Sequence, residues 1–340
     1  MREAIKQSLF HTLQWTGMNA LARRRFRNSL VVLNYHGVQD GEFRTDRHLY
    51  INTVSSAEFE AHLQLVTRHF QPVRASDVES WVSGERDLPE RAILLTFDDG
   101  FRNNLTHAAP LLKRHGVPAI LFLATAYIGG TRILWPQELY ELGLRWPRER
   151  VPLASGEFNL TGDRRARAKE LVAFAKTQPA DAIEPWLNAL REEAPLPSDL
   201  HTNPVYEFLT WDEVRQLPAY GFEIGSHTHN HPIMARCSGE RMTRELEVSK
   251  NEIESRLGIR CGSFCYPNGG PSDWSEETGH AVQAAGYRAA YTLLDRMQER
   301  ASVQPFRIDR LVVPGGVAPT VFAARVSGSI AIIRRLWPGL

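Results

Sequence analysis

The stretch RAILLTFDDG, residues 91–100, decides the fold class. It lacks helical spacing, and an apolar run of this length is typical of a strand buried on both faces. Comparable runs stand at 30–38, LVVLNYHGV, and at 117–125, VPAILFLAT. The segments between them, 56–69 and 106–116, have the spacing of helices. This alternation predicts a parallel sheet with helices outside, either open or closed into a barrel.

The same alternation returns near residue 221, with predicted strands at 221–227, 262–267 and 287–293. Between the two halves, residues 129–205 are rich in proline and contain two polar helical segments, which we interpret as an insertion. We therefore predict three parts: an N-terminal basic helix at 1–29, a main domain at 30–320 and a C-terminal helical tail at 321–340.

Composition narrows the class of protein. The chain has 340 residues, of which 43% are hydrophobic and 23% charged, so a disordered chain and a multi-span membrane protein are excluded. A net charge of +1 argues against nucleic acid as a partner. The three cysteines, Cys237, Cys261 and Cys265, cannot all pair with one another, which favours a reducing compartment.

The N-terminus is more basic than the rest of the chain. Residues 1–29 hold six lysines and arginines and one glutamate, which gives +5. Residues 3–27 have amphipathic spacing, and two interpretations stay open. The predicted helix packs on the body, or it lies on an anionic membrane surface. Because no ordinary secretory signal is recognisable, we expect the protein in the cytoplasm or at the cytoplasmic face of the inner membrane.

Polar side chains follow three of the predicted strands. Asp98 and Asp99 follow the first, HTHNHP at 227–232 follows the second, and Tyr266 to Gly269 follow the third. The carboxyl ends of parallel strands meet at one edge of a sheet, where functional groups gather. Two imidazoles and one carboxylate form a plausible N₂O face for Zn²⁺, Fe²⁺, Co²⁺ or Ni²⁺, with positions left open for water and substrate.

Three of these motifs resemble one known family. TFDDG at 96–100, the H-T-x-x-H-P form at 227–232 and FCYPNG at 264–269 are similar to motifs of the polysaccharide deacetylases, also called the NodB homology domain or carbohydrate esterase family 4. The resemblance implies an α/β fold, a distorted (β/α)₇-type barrel, here with an inserted, partly helical segment and an N-terminal amphipathic helix. It also implies removal of acetyl groups from N-acetylated sugars.

The resemblance assigns roles to individual residues. Asp99, His227 and His231 would hold one divalent metal ion, with Zn favoured and Co, Ni, Fe or Mn as alternatives. Asp98 would be the general base, and the backbone N–H of Tyr266 would help to bind the oxyanion.

The proton donor for the leaving amine departs from the family pattern. Many members use a histidine in a late Leu-x-His motif, but here His280 is the last histidine, and the late region reads RIDRLVVPGG, 307–316. Three candidates stay open: His36, Asp98 acting twice, and Asp309. His36 also has an interpretation as a structural, hydrogen-bonded histidine. His229, between the two ligands, is expected to point elsewhere.

Substrate contacts are predicted near the same strand ends. Asn268 is a candidate pocket residue, although a Pro-Asn-Gly-Gly turn also has a purely conformational explanation. Trp274 is the preferred candidate for stacking on a sugar ring. Trp135 and Trp211 are further candidates, and each tryptophan has an alternative role in the core.

The sequence therefore favours a metal-dependent hydrolase that removes the N-acetyl group from an N-acetylhexosamine unit of a polysaccharide, oligosaccharide or lipid-linked glycan precursor. Close alternatives are a deformylase or a cyclic-amide hydrolase of the same fold. From other classes, the alternatives are a glycan-binding module that has lost catalysis and a scaffold at the membrane surface. Asp98→Asn separates a hydrolase from a binding module.

Overall fold

A computed structural model describes residues 17–41, 53–154 and 156–336. The predicted α/β architecture is confirmed, with a main sheet that curls into a distorted half-barrel. The strands are β1 (Ser29–Tyr35), β2 (Gly37–Val38), β3 (Thr53–Val54), β4 (Gln71–Pro72), β5 (Ala92–Phe97), β6 (Ala119–Leu123), β7 (Arg150–Pro152), β8 (Glu157–Asn159), β9 (Phe222–Ser226), β10 (Ser263–Cys265), β11 (Ala289–Tyr291), β12 (Gln298–Glu299) and β13 (Leu311–Val312).

Helices cover the sheet and build the insertion. The α-helices are α1 (Met18–Arg25), α2 (Ser56–His69), α3 (Ala75–Val82), α4 (Ala109–His115), α5 (Trp135–Arg145), α6 (Arg164–Ala175), α7 (Ala180–Glu193), α8 (Trp211–Val214), α9 (Gly239–Leu257), α10 (Glu276–Ala284), α11 (Pro319–Ser327) and α12 (Ser329–Leu336). A π-helical turn, Asn104–Ala108, leads into α4.

The main sheet runs in the order β11-β10-β9-β6-β5-β1-β12, while β13 pairs with β1 and β4 pairs with β5. All of these pairs are parallel except β1 with β12. The carboxyl ends of β5, β9 and β10 therefore meet at one edge, as the sequence predicts.

Both faces of the sheet are buried, which explains the unbroken apolar runs. In β1, Val31, Leu33 and Tyr35 belong to one apolar cluster, which also holds Phe59 of α2. Their neighbours Leu30 and Val32 belong to a second cluster, on the other side of the pleat. Because successive side chains point to opposite faces, a strand with two buried faces needs apolar residues at every position.

The predicted insertion, 129–205, holds α5, the antiparallel pair β7–β8, α6 and α7. These elements enclose an apolar cluster that includes Leu139, Trp146, Leu171 and Leu187. Ile233 joins the same cluster from the chain just after HTHNHP. The insertion therefore packs against the loop that carries the two predicted histidine ligands.

The first described helix and the last two described helices lie together. Of the predicted N-terminal helix, residues 1–16 are outside the described residues, and α1 packs beside α11 and α12. The Asn19 Oδ1 atom accepts hydrogen bonds from Ser327 Oγ and Ser329 Oγ, at 3.2 and 2.7 Å. The predicted tail at 321–340 is helical through Leu336, and residues 337–340 are outside the described part. Among the helices described, none has the length and apolar character to cross a bilayer.

Candidate active site

Asp98 and Asp99 follow β5 directly, and each is only 2% exposed. Asp99 has φ +76° and Gly100 has φ +99°, so the backbone reverses as soon as the strand ends. Glycine adopts φ +99° without strain, whereas a Cβ atom there would also come within 2.8 Å of the end of Ile128 and 3.0 Å of the end of Leu123. The turn thus holds two carboxylates side by side in a buried position.

The loop after β9 is held in an unusual conformation. Thr228 has φ +70° and His231 has φ +57°, both in the left-handed region. Glu245 of α9 accepts hydrogen bonds from the N–H groups of His229 and Asn230, at 2.9 and 2.7 Å. Backbone strain of this kind persists only where the surrounding structure holds it, and it clusters at functional sites.

His227, His231 and Asp99 converge as predicted, with their ligand atoms all within 4.8 Å of one another. His227 Nδ1 donates to the Cys265 carbonyl at 2.8 Å, which leaves Nε2 facing Asp99 Oδ1 at 3.6 Å. His231 Nε2 lies 3.4 Å from the same oxygen.

The three groups fit a divalent metal ion. In the described part of the chain, neither Asp99 Oδ1 nor His231 Nδ1 has a hydrogen-bond partner, although both atoms are buried. A buried oxygen without a hydrogen-bond partner lowers the stability of the fold. Together with the two imidazole nitrogens beside it, this oxygen forms a set of donors typical of zinc and other first-row transition metals. Asp99, His227 and His231 are therefore the residues that could hold the metal.

Asp98 is held by partners that the sequence motifs do not include. Arg310 donates to both of its carboxylate oxygens, at 2.7 and 2.8 Å, and the Asn34 amide donates to Oδ2 at 2.8 Å. Burial by itself raises the pKa of Asp98, but Arg310, His227 and His36 outweigh it and hold the pKa below its usual range. The carboxylate is therefore kept ionised and fixed in orientation.

His36, a candidate proton donor, lies against one of the candidate metal ligands, as does Asp98. Its Nε2 atom lies 3.8 Å from Asp99 Oδ2, and its side chain is 32% exposed. Asp309 instead accepts a hydrogen bond from Thr292 Oγ1 at 2.7 Å. His229 lies, as expected, outside the cluster, with Nδ1 2.8 Å from Thr125 Oγ1.

The predicted oxyanion donor needs correction. The Tyr266 N–H donates to the Tyr291 carbonyl at 3.1 Å, as part of the pairing between β10 and β11, so the sheet already uses this group. Pro267 has no N–H. The next backbone donor along the chain is the N–H of Asn268, which bonds to no described group and has φ +59°. Asn268 is therefore the better placed of the two.

The predicted substrate-contact residues have different surroundings. Trp274 is partly exposed, and its ring centroid lies 6.1 Å from that of Tyr266. The Arg307 guanidinium lies 5.0 Å from the centroid of the Trp274 ring. Trp135 is only 5% exposed, and its indole N–H donates to the His231 carbonyl at 2.9 Å. Trp135 therefore supports the backbone of His231, a candidate metal ligand, and is too buried to serve as a platform for a sugar.

One further cation reaches this site from the insertion. Lys176, directly after α6, donates from Nζ to Asn268 Oδ1 at 3.1 Å. The sequence motifs include neither Lys176 nor Arg310.

This fold and this site define an α/β protein with a half-barrel sheet and a buried cluster of two histidines and one aspartate beside a second carboxylate. Residues 85–290 match the sequence model of the polysaccharide deacetylases. The chain belongs to the polysaccharide deacetylase family.

Named relatives agree with that assignment. The poly-beta-1,6-N-acetyl-D-glucosamine N-deacetylase of Staphylococcus epidermidis (strain RP62A) is 26% identical over 247 residues, which cover 68% of this chain and 83% of that protein. YxkH of Bacillus subtilis (strain 168) is 28% identical over 114 residues, so this chain spans only 38% of that protein's length. Among solved structures, the Streptococcus pyogenes deacetylase PplD matches with TM-score 0.58 at 15% identity over 88% of this chain and 98% of PplD, and so shares the fold.

Proposed function

We propose that this protein is a metal-dependent hydrolase that removes the N-acetyl group from an N-acetylhexosamine unit of a glycan. The observation that carries the proposal is the pair of adjacent aspartates in different environments. Asp99 faces two imidazoles with an oxygen unsatisfied, while Asp98 is held by Arg310. Paired titratable groups with separate environments are typical of separate chemical roles.

Asp99, His227 and His231 would hold the metal, which supplies Lewis-acid polarisation of the acetyl carbonyl and a lowered pKa for the attacking water. Asp98 takes the proton from that water as it attacks. The fork of Arg310 and the amide of Asn34 orient the carboxylate and keep it ionised for this step.

Two other groups complete the reaction. The Asn268 N–H donates to the oxygen that becomes negative, a contribution of about 3–4 kcal/mol where such a donor is well placed. His36, at the exposed side of Asp99, gives a proton to the leaving amine. Since Asp309 is bonded to Thr292, it is the weaker candidate for this role.

The substrate class is proposed from the relatives. The Staphylococcus epidermidis relative is named for a β-1,6-linked N-acetylglucosamine polymer, and it aligns with 68% of this chain. Oligomers of that linkage are therefore the first substrates to test, followed by a lipid-linked N-acetylhexosamine.

The test measures bound metal and released acetate on the same samples. The wild-type protein, the chelated protein, His231→Ala and Asp98→Asn are each given the oligomers. About one metal ion per chain is expected, with acetate release lost on chelation and in both variants, and metal retained in Asp98→Asn. Bound metal with release of formate or opening of a cyclic amide would redirect the proposal to another acyl group. Glycan binding without any hydrolysis would replace it with a binding module.

Contact with an anionic membrane is a second part of the proposal. On α1, Leu21 is 60% exposed and the exposed Arg24 and Arg25 lie one turn away, so apolar and basic groups share one face. Cosedimentation with vesicles that contain phosphatidylglycerol tests this contact, and Leu21→Ser with Arg24→Ser and Arg25→Ser should abolish it. Equal sedimentation with neutral vesicles would contradict it. The intracellular location stays a prediction from the sequence.

A further inference from the structure

Lys176 joins the insertion to the catalytic cleft. It follows the last residue of α6, and its backbone N–H donates to the Val172 carbonyl at 3.0 Å, which fixes its place at the helix end. From there its ammonium group reaches a residue 92 positions later, with Nζ 3.1 Å from Asn268 Oδ1. Burial lowers the pKa of Lys176, while Asp273 and Asp99 favour its charged form.

Asn268 occupies a tight turn directly after the site's third motif. The Gly269 N–H donates to the Pro267 carbonyl at 2.8 Å, and the Gly269 carbonyl accepts from Leu293 N–H at 2.7 Å. The Asn268 backbone is in the left-handed region, which costs free energy unless neighbouring groups hold it. Among the described residues, Lys176 alone binds the Asn268 side chain.

The contact links the cation to the proposed oxyanion donor. The Asn268 N–H is the first backbone donor past the β10 ladder that bonds to no described group. The direction of this N–H depends on the backbone angles of Asn268. The Asn268 side chain, which Lys176 binds, branches from the same Cα atom. A positive charge beside this partly buried turn also favours negative charge that develops on the bound carbonyl.

We propose that Lys176 is a positioning residue, which holds Asn268 so that its backbone N–H faces the carbonyl oxygen under attack. The insertion then contributes to the chemistry of the site as well as to its walls. The inference rests on the proposed function, because it assigns an orienting role within the same deacetylation.

The first experiment compares Lys176→Met with Lys176→Arg and with a matched control. Lys169→Met removes the same side chain two turns earlier on α6, where the lysine forms no hydrogen bond or ion pair with the described residues. Because the oxyanion exists only in the transition state, Lys176→Met should lower kcat about tenfold with KM within about twofold. Lys176→Arg should recover most of the loss, and Lys169→Met and the metal content should match wild type.

A double-mutant cycle tests whether Lys176 acts through Asn268. Asn268→Gly removes the side-chain oxygen, and glycine accepts φ +59° without strain. If Lys176 acts through this side chain, the double variant should be no slower than the slower single variant. The inference would be overturned if the effects of the two single substitutions on kcat multiplied in the double variant, or if Lys176→Met had the kcat of wild type.

Hydrogen exchange of the turn gives a readout that does not require activity. In Lys176→Met, the peptide that spans 266–270 should exchange at least about fivefold faster than in wild type or Lys169→Met. Unchanged exchange would refute the positioning role whatever the kinetics. Faster exchange in a protein whose wild type releases no acetate would support the positioning role and reject the proposed function, so the two failures are distinguishable.

Discussion

Arg310 donates hydrogen bonds from both guanidinium Nη atoms to the carboxylate of Asp98, which lies 212 residues earlier in the sequence. The fork is among the most deeply buried charge pairs described, with side-chain exposures of 1% and 3%. A third bond, from Arg310 Nε to the Thr292 carbonyl at 3.0 Å, fixes the guanidinium plane itself. Asp98 is thus one half of a buried ion pair whose orientation is determined by the late part of the chain.

Arg310→Met should raise the pKa of Asp98 and leave its carboxylate without a fixed orientation. With the cation removed, burial dominates, and the pKa of Asp98 rises. The acidic limb of the kcat/KM profile should move up by at least about one pH unit, while kcat falls about a hundredfold. Loss of one partner of a buried pair should also destabilise the fold by about 3–5 kcal/mol.

Two comparisons keep that result interpretable. Arg310→Lys keeps the charge without the fork, so its acidic limb should lie between those of wild type and Arg310→Met. Arg307→Met removes a nearby cation that contacts Trp274 and not Asp98, and its acidic limb should match wild type. An unchanged profile in a folded Arg310→Met protein would show that Arg310 does not hold Asp98 ionised.

Much of the fold could be predicted because its main strands carry a strong local signal. The run at 91–100 and its counterparts are apolar at every position since both faces of the sheet are buried. Helix α2 was predictable to the residue, because Ser55 and Glu58 form a capping box before an amphipathic run. The two-residue strands β12 and β13 carry too few residues for any periodicity.

The residues of the candidate site also divide into those that the sequence could identify and those that it could not. Asp98, Asp99, His227 and His231 could be found because each pair is close in sequence and follows a strand. Arg310 could not, since nothing in RIDRLVVPGG says which strand end its guanidinium reaches. Lys176 and Trp135 lie in the insertion, where the sequence gives no register against the barrel. At Tyr266 the role that the resemblance assigns conflicts with the strand prediction, because the predicted strand at 262–267 includes this residue and its N–H is used in the pairing of β10 with β11.

Asp98→Asn should separate metal binding from turnover. Asparagine matches aspartate in size but keeps one acceptor oxygen, so one N–H of the Arg310 guanidinium loses its partner, while the cluster of Asp99, His227 and His231 is untouched. We expect metal content equal to wild type and acetate release reduced about 10²–10⁴-fold, because the proton acceptor is lost. Elemental analysis and acetate assays on one preparation check both parts. A variant that loses its metal would place Asp98 among the ligands.

Trp135→Phe should weaken metal binding without any change to a ligand. The indole N–H bonds the His231 carbonyl at 2.9 Å, and the His231 backbone is in a strained conformation that needs such support. Supporting contacts of metal ligands are typically worth about 10- to 100-fold in affinity, and this one, to the backbone, should cost about 3- to 10-fold. Competition with a chromophoric chelator measures the affinity.

The matched control for Trp135 is Trp186→Phe. Trp186 also lies in the insertion and also donates its indole N–H to a carbonyl, that of Pro152 at 2.8 Å, but away from the metal residues. Its metal affinity should equal that of wild type. If both variants lose the same affinity, the effect belongs to the insertion as a whole and not to the bond with His231.

His62 should make stability depend on pH in the acidic range. It is 3% exposed, stacks on Phe322 at 3.7 Å between ring centroids, and has Nδ1 3.3 Å from the Tyr35 hydroxyl. Burial lowers its pKa from the ordinary value of 6.5 to about 4. Between these values the unfolded chain binds more protons than the folded one, so stability falls as pH falls from about 6.5 toward 4.

Over this pH range, His62 lowers the free energy of unfolding by about 3 kcal/mol, because one pKa unit corresponds to about 1.4 kcal/mol. His227, with a pKa also lowered to about 4, titrates in the same window, so the contribution of His62 must be taken as a difference between proteins. Urea unfolding of metal-free wild type and His62→Gln at pH 7 and pH 4.5 isolates it. The stability advantage of wild type should shrink by about 2–3 kcal/mol at the lower pH. A constant difference would mean that His62 takes up its proton as readily in the folded protein as in the unfolded chain.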